Sequence, residues 1–85
     1  METQILEMIG KPGSTVRGTT YRVVEDDRGS RFLYLTRLSM KLEEEVLIGI
    51  VDRVNKRGLV ANAYSLTGKP LKFVIDRQYF DFIEN

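Results

Sequence analysis

The chain has 85 residues, with 13 basic against 12 acidic side chains, a formal net charge of +1, and neither cysteine nor histidine. Without cysteine there are no disulfides, thiolate nucleophiles or thiolate metal sites, and without histidine the usual neutral-pH acid–base group and the commonest transition-metal ligand are missing. One small core fits this length, burying about 60–65% of the unfolded surface, and the near-balanced charge is a weak footprint for nucleic acid.

The first residues, Met1-Glu2-Thr3-Gln4, lack the basic segment and apolar run of a secretory signal, and no apolar stretch approaches the roughly 20 residues that span a bilayer. A soluble, cytoplasmic protein without membrane contact is the expectation. From Thr3 to Ile9, the spacing of Ile5 and Ile9 and the stop signal of Gly10 and Pro12 predict a short amphipathic helix. A strand through Ile5 is the competing reading. Pro12-Gly13 suits the centre of a type II turn.

Strands are predicted near 15–25, 31–38, 45–54, 59–66 and 71–76. Two turns share one chemistry: Asp26-Asp27-Arg28-Gly29 and Asn55-Lys56-Arg57-Gly58 each open on a capping side chain and close on a glycine. Across the first turn, Glu25 is expected opposite Arg31, Val24 opposite Phe32, Val23 opposite Leu33, Arg22 opposite Tyr34, and Tyr21 opposite Leu35. Both faces of that hairpin are partly apolar. Either a bulge near Thr36-Arg37 switches faces, or an aromatic pair stays on the surface.

Between Phe32 and Ile50 the even positions are apolar, with only Thr36 and Glu44 interrupting, a period of two that marks strands with one buried face. Segment 36–45 reads as a bent strand, a loop or a helical turn. With no glycine near Glu43 to Glu45, a continuous bend is favoured, as at a barrel corner. Across the second turn, Asn55 would face Leu59, placing Val54 opposite Val60 and Ile50 opposite Tyr64. A third turn at Thr67-Gly68-Lys69-Pro70 would set Leu66 opposite Leu71 and Tyr64 opposite Phe73. One face of this meander is then apolar, from Ile48 and Ile50 through Val60 and Tyr64 to Ile75. The other is small at its centre, with Gly49, Ala61, Ala63 and Ser65, and either accepts a terminal helix or forms a shallow groove for a partner. The tail Ile75, Tyr79, Phe82, Ile83 has helical spacing with Asp76 placed to cap, although Tyr79 to Phe82 also suits a sixth strand.

The expected fold is mainly β: one domain over 1–85, a small five-stranded antiparallel barrel or strongly bent sheet with a short helix at each end. This order is similar in outline to SH3-like and Sm-like small barrels. No motif of those families is present in these residues, so the resemblance carries no functional residue with it.

No catalytic constellation emerges. Gly10, Gly13 and Gly18 precede a strand rather than a helix, unlike a phosphate loop, and the serines have no histidine to activate them. The acidic runs Glu25-Asp26-Asp27 and Glu43-Glu44-Glu45 lack the alternating spacing of a calcium loop and read as solvated segments, the second also guarding an apolar strand. No enzymatic activity, cofactor or metal is expected. The leading expectation is a binding or regulatory module that contacts another protein through a sheet edge or groove, using Arg22, Phe32, Tyr34, Gly49, Ala61, Ala63 and Ser65. Homo-oligomerisation through an edge strand is a variant of it. The alternative is a nucleic-acid-binding barrel that stacks bases on Tyr34 and holds phosphates with Arg22, Lys56 and Arg57.

Overall fold

The computed structural model of the protein describes residues 1–39 and 42–85. Seven strands form one antiparallel sheet: β1 (Thr3–Gly10), β2 (Thr20–Glu25), β3 (Arg31–Ser39), β4 (Leu42–Asn55), β5 (Gly58–Tyr64), β6 (Pro70–Asp76) and β7 (Phe80–Glu84). Their spatial order is β6-β5-β4-β3-β2-β1-β7, so every neighbour but β7 is also a neighbour in sequence. A 3-10 turn, Arg77–Tyr79, carries the chain from one edge strand to the other. The sheet is curled into a half-barrel.

The mainly β, antiparallel and bent character agrees with the sequence pattern, but the strand number and both ends do not. Among the described residues there are seven strands rather than five, and neither terminal helix forms. Residues 3–10 are a strand because Leu6, Met8 and Gly10 alternate as buried positions, a period of two that overrides the four-residue spacing of Ile5 and Ile9. The tail divides: Asp76 caps as expected, its carboxylate accepting from the Gln78 N–H at 3.0 Å, but only one 3-10 turn follows before β7 pairs with β1.

The first hairpin has the predicted register throughout, from Glu25 opposite Arg31 to Tyr21 opposite Leu35. Its turn works as the residue types suggest. Asp26 Oδ1 accepts from the Arg28 and Ser30 N–H groups, each at 2.9 Å, and Gly29 takes φ +83°.

The second hairpin is out of register with its prediction. Val54 faces Leu59 and Asn55 faces Gly58, so the loop is the two residues Lys56 and Arg57. Asn55 Oδ1 still caps, accepting from the Arg57 N–H at 2.8 Å. A one-residue slip exchanges the two faces of a strand. Leu59, Ala61 and Ala63 are therefore buried, while Ile50 and Tyr64 point outward with 52% and 74% exposure. The third turn differs too: the loop runs from Ser65 to Lys69, with Tyr64 opposite Pro70 and Ala61 opposite Phe73.

Segment 36–45 is neither a bend nor a loop at Glu43 to Glu45. These glutamates pair with Leu38, Arg37 and Thr36 as β3 and β4 run antiparallel, and residues 40 and 41 of the segment lie outside the described residues. Thr36 faces Glu45 while Phe32 faces Ile50, one residue out of step, because Ile48 is an extra residue in β4. That bulge, rather than one at Thr36-Arg37, resolves the parity. Comparable irregularities fall at Ile5 in β1 and at Asp52 in β4. Bulges increase local twist and bend the strand, and these three curl the sheet.

The concave face holds the core. One row of paired residues crosses six strands: Leu6, Val23, Leu33, Gly49, Ala63 and Leu71. Curling brings Phe73 of β6 against Tyr21 of β2, with ring centroids 5.8 Å apart, and Phe80 of β7 meets the same tyrosine at 5.6 Å. A Cβ on Gly49 would overlap the Asn62 carbonyl oxygen, and one on Gly58, at φ +142°, would overlap that of Ile75.

Gly49→Ala and Gly58→Val are each expected to lower unfolding free energy by about 2–4 kcal/mol, through overlap with backbone that cannot move aside. Gly29→Ala, whose Cβ would meet open space, should cost only about 1 kcal/mol, from its positive φ. Denaturant midpoints at constant m-value check the contrast, and equal losses at all three positions would contradict it.

Candidate interaction face

The sheet's convex face carries the candidate site. Two cross-strand rows run over β2, β3 and β4: Arg22, Tyr34 and Leu47 in one, Val24, Phe32 and Ile50 in the other. Phe32 and Tyr34 are partly buried, whereas Leu47 and Ile50 are 55% and 52% exposed. Directly paired apolar side chains of this kind stabilise an antiparallel ladder, but here they do so while open to solvent on the outer side. On β5, Asn62 pairs with Ile50, and Tyr64, 74% exposed, lies two residues along the same outer face.

Charges at the margin are paired with one another. Arg22 donates to Gln4 Oε1 at 2.9 Å and forms an ion pair with Glu45. On the opposite side Asp52 receives Arg53 at 2.9 Å and Lys72 at 3.6 Å, and Lys72 also donates to Asn62 Oδ1. The arrangement is an apolar centre with a polar margin. Tyr34 sits between the two, its hydroxyl pKa raised by burial and then by the carboxylates of Glu2 and Glu45, with Arg22 partly offsetting them.

The structure brings Arg22, Phe32 and Tyr34 together, as the first hairpin's register requires. It does not add Gly49, Ala61, Ala63 and Ser65 to them. Ala61 and Ala63 are buried on the concave wall at 0% and 6% exposure, so the shallow groove expected there is filled by the sheet's own curvature. Ser65 shapes the β5–β6 turn: its N–H donates to the Lys69 carbonyl at 2.9 Å, and its Oγ accepts from the Lys69 N–H at 3.1 Å. Lys56 and Arg57 form the β4–β5 turn, nine positions along β4 from the Leu47 that pairs with Tyr34. At roughly 3.3 Å per residue that is about 25–30 Å, so the basic turn and the Arg22–Tyr34 pair do not make one patch.

Sequence reasoning missed Leu47 and misassigned Ile50 and Tyr64, which the slipped register had turned inward. The signal was the second turn itself, since Asn55-Lys56-Arg57-Gly58 also fits a two-residue loop. Among the described residues, no cluster of acidic side chains is suited to a metal ion, and no helix is long and apolar enough to cross a membrane. Comparison with protein-family models, curated proteins and solved structures finds no match.

Tyr21 and Tyr34 both have hydroxyl pKa values raised above the usual 10.0, Tyr21 by burial alone. For a group whose folded pKa lies above its unfolded value, stability is intact below the unfolded value and falls as pH rises through the folded one. Unfolding free energy should therefore decline from about pH 10 upward, and Tyr21→Phe should flatten that decline. Urea melts between neutral and strongly alkaline pH check it, and a decline of the same steepness in Tyr21→Phe would contradict it.

Proposed function

We propose that this protein is a non-enzymatic binding module that docks another protein on the convex face of β3 and β4. The carrying observation is the pair of exposed aliphatic side chains, Leu47 and Ile50, each set directly against a half-buried aromatic, Tyr34 and Phe32. Contiguous apolar surface with a polar margin is typical of protein contact sites, and an aromatic anchored on one side loses little freedom when a partner covers the other. The surrounding ion pairs set orientation more than affinity.

Nucleic acid fits this face less well. Arg22, at its margin, already lies against Glu45 and Gln4, and the Lys56-Arg57 turn is distant. A phosphate backbone would have to displace a carboxylate to reach Arg22.

Leu47→Asp and Ile50→Asp should each weaken capture of the native partner by tenfold or more, since each puts a charge at the centre of the apolar patch. Circular dichroism and thermal midpoint should be nearly unchanged, because both positions are solvent-facing in the free protein. Affinity capture from native extract with wild-type and variant baits, followed by titration of the purified partner, gives the measurement. Equal capture by all baits would sink the assignment. Salt-sensitive binding of oligonucleotides with signal changes at Arg22 and Tyr34 would replace it with the nucleic-acid reading.

A further inference from the structure

The outer edge of β6 is a second exposed feature, at the border of the sheet. β5 occupies one side of this strand, and among the described residues no strand occupies the other. The bonding phase between β5 and β6 fixes which backbone groups are left over. Their pairing runs without a bulge. At one end the Lys69 carbonyl accepts from the Ser65 N–H, and at the other the Arg77 N–H donates to the Arg57 carbonyl, each at 2.9 Å. Antiparallel ladders alternate bonded with unbonded residues, so Leu71, Phe73 and Ile75 bond to β5. Lys72, Val74 and Asp76 therefore turn their N–H and C=O groups toward the open edge.

The same three residues share the strand's outer face, in the order cation, apolar, anion. Val74 is 62% exposed. Asp76 caps the 3-10 turn by accepting from the Gln78 N–H, yet it makes no ion pair among the described residues. The Lys72 ammonium has three donors. Asn62 Oδ1 takes one and Asp52 lies at 3.6 Å, which leaves a third. Opposite charges four residues apart make a strand complementary to itself. A two-fold axis at the middle residue sets each charge against its opposite.

We infer that β6 pairs antiparallel with β6 of a second copy of this chain, with the two-fold axis at Val74. Val74 exchanges N–H and C=O bonds with Val74 of the second copy, and Lys72 does so with Asp76 on either side. Pro70, which has no N–H to give, falls beyond this ladder. Other registers fit less well. An axis at Lys72 opposes two lysines, one at Phe73 sets Pro70 against Asp76, and one at Ile75 sets Lys72 against Gln78 in the 3-10 turn. The remaining edge strand, β7, carries Asp81 and Glu84 with no cation, so it has no such self-match. An edge lysine ordinarily discourages pairing, and here its match with Asp76 selects one register. The contact is isologous, so it closes at the dimer, and its small size makes association weak.

Sedimentation equilibrium of the full chain, from micromolar to millimolar concentration, should show monomer and dimer and nothing larger. Val74→Pro removes an N–H that β5 does not use. It should keep the circular dichroism spectrum and weaken the dimer about tenfold or more. Lys72→Glu and Asp76→Lys, each alone, set like charges opposite one another and should weaken self-association about fivefold or more. Mixed in equal amounts, the two variants match again, and their heterodimer should regain most of the wild-type affinity. Asp76→Lys also loses the cap on Gln78, but mixing does not repair that loss, so recovery reports the charge match alone. Leu47→Asp, on the convex face, should leave the dimer unchanged, which keeps this test separate from partner docking there. A chain that stays monomeric, growth beyond the dimer, a dimer indifferent to Val74→Pro, or no gain on mixing would each overturn the inference.

Discussion

The closeness with which β5 approaches β4 at Gly49 is the constraint on which the rest of this structure depends. No side chain fits between Gly49 and the Asn62 carbonyl, and the concave wall beside it is built of Ala61 and Ala63. Large residues in that row would fill the concavity and hold the sheet open. Small ones let it curl until Phe73, on one flank, reaches Tyr21 four strands away. Phe80 completes the cluster from β7, so the two edge strands are tied to the same tyrosine, although no ladder joins them to each other. The 3-10 turn between them is short because curvature has already brought its ends near.

Curvature also explains why the two faces differ. An inward-curling sheet concentrates its contacts on the concave side, where Met8, Leu33 and Leu59 are fully enclosed. The convex side spreads its residues apart, and among the described residues nothing covers it. Phe32 and Tyr34 are sheltered by ladder neighbours, while Leu47 and Ile50 are not. A small domain has limited apolar surface to use in its core, and leaving four large apolar residues outside it costs stability. That cost is consistent with their being kept for a contact outside the chain.

The half-barrel form supplies a second consequence. A closed barrel would have its ends filled by side chains from all sides. Here the concave wall runs out near Val54 and Leu6 before the opposite edge arrives, leaving apolar lining open beneath the β4–β5 turn and the 3-10 turn. Both turns carry cations for reasons of their own, since a two-residue loop and a 3-10 segment favour exposed polar side chains.

Local chemistry by itself determined a good deal of this. Alternation with period two made the protein a β structure, and the Asp26-to-Gly29 turn set the first hairpin's register, bringing Arg22, Phe32 and Tyr34 together on one face. In each case the deciding interactions span a few residues, so they are written in adjacent letters. The segment Thr3–Ile9 was misleading because Ile5 and Ile9 satisfy a helical period as well as a strand carrying a bulge. Only pairing of β1 with both β2 and β7 decides between them. The second hairpin was ambiguous for a similar reason. Its turn residues allow two loop lengths, and the choice rests on whether Gly49, Ala61 and Ala63 face inward. That depends on the sheet's curvature and on Phe73 and Tyr21 meeting across it, contacts between residues far apart in the chain. Which face was core, which was left bare, and where the wall ended open were consequently matters for the tertiary structure alone.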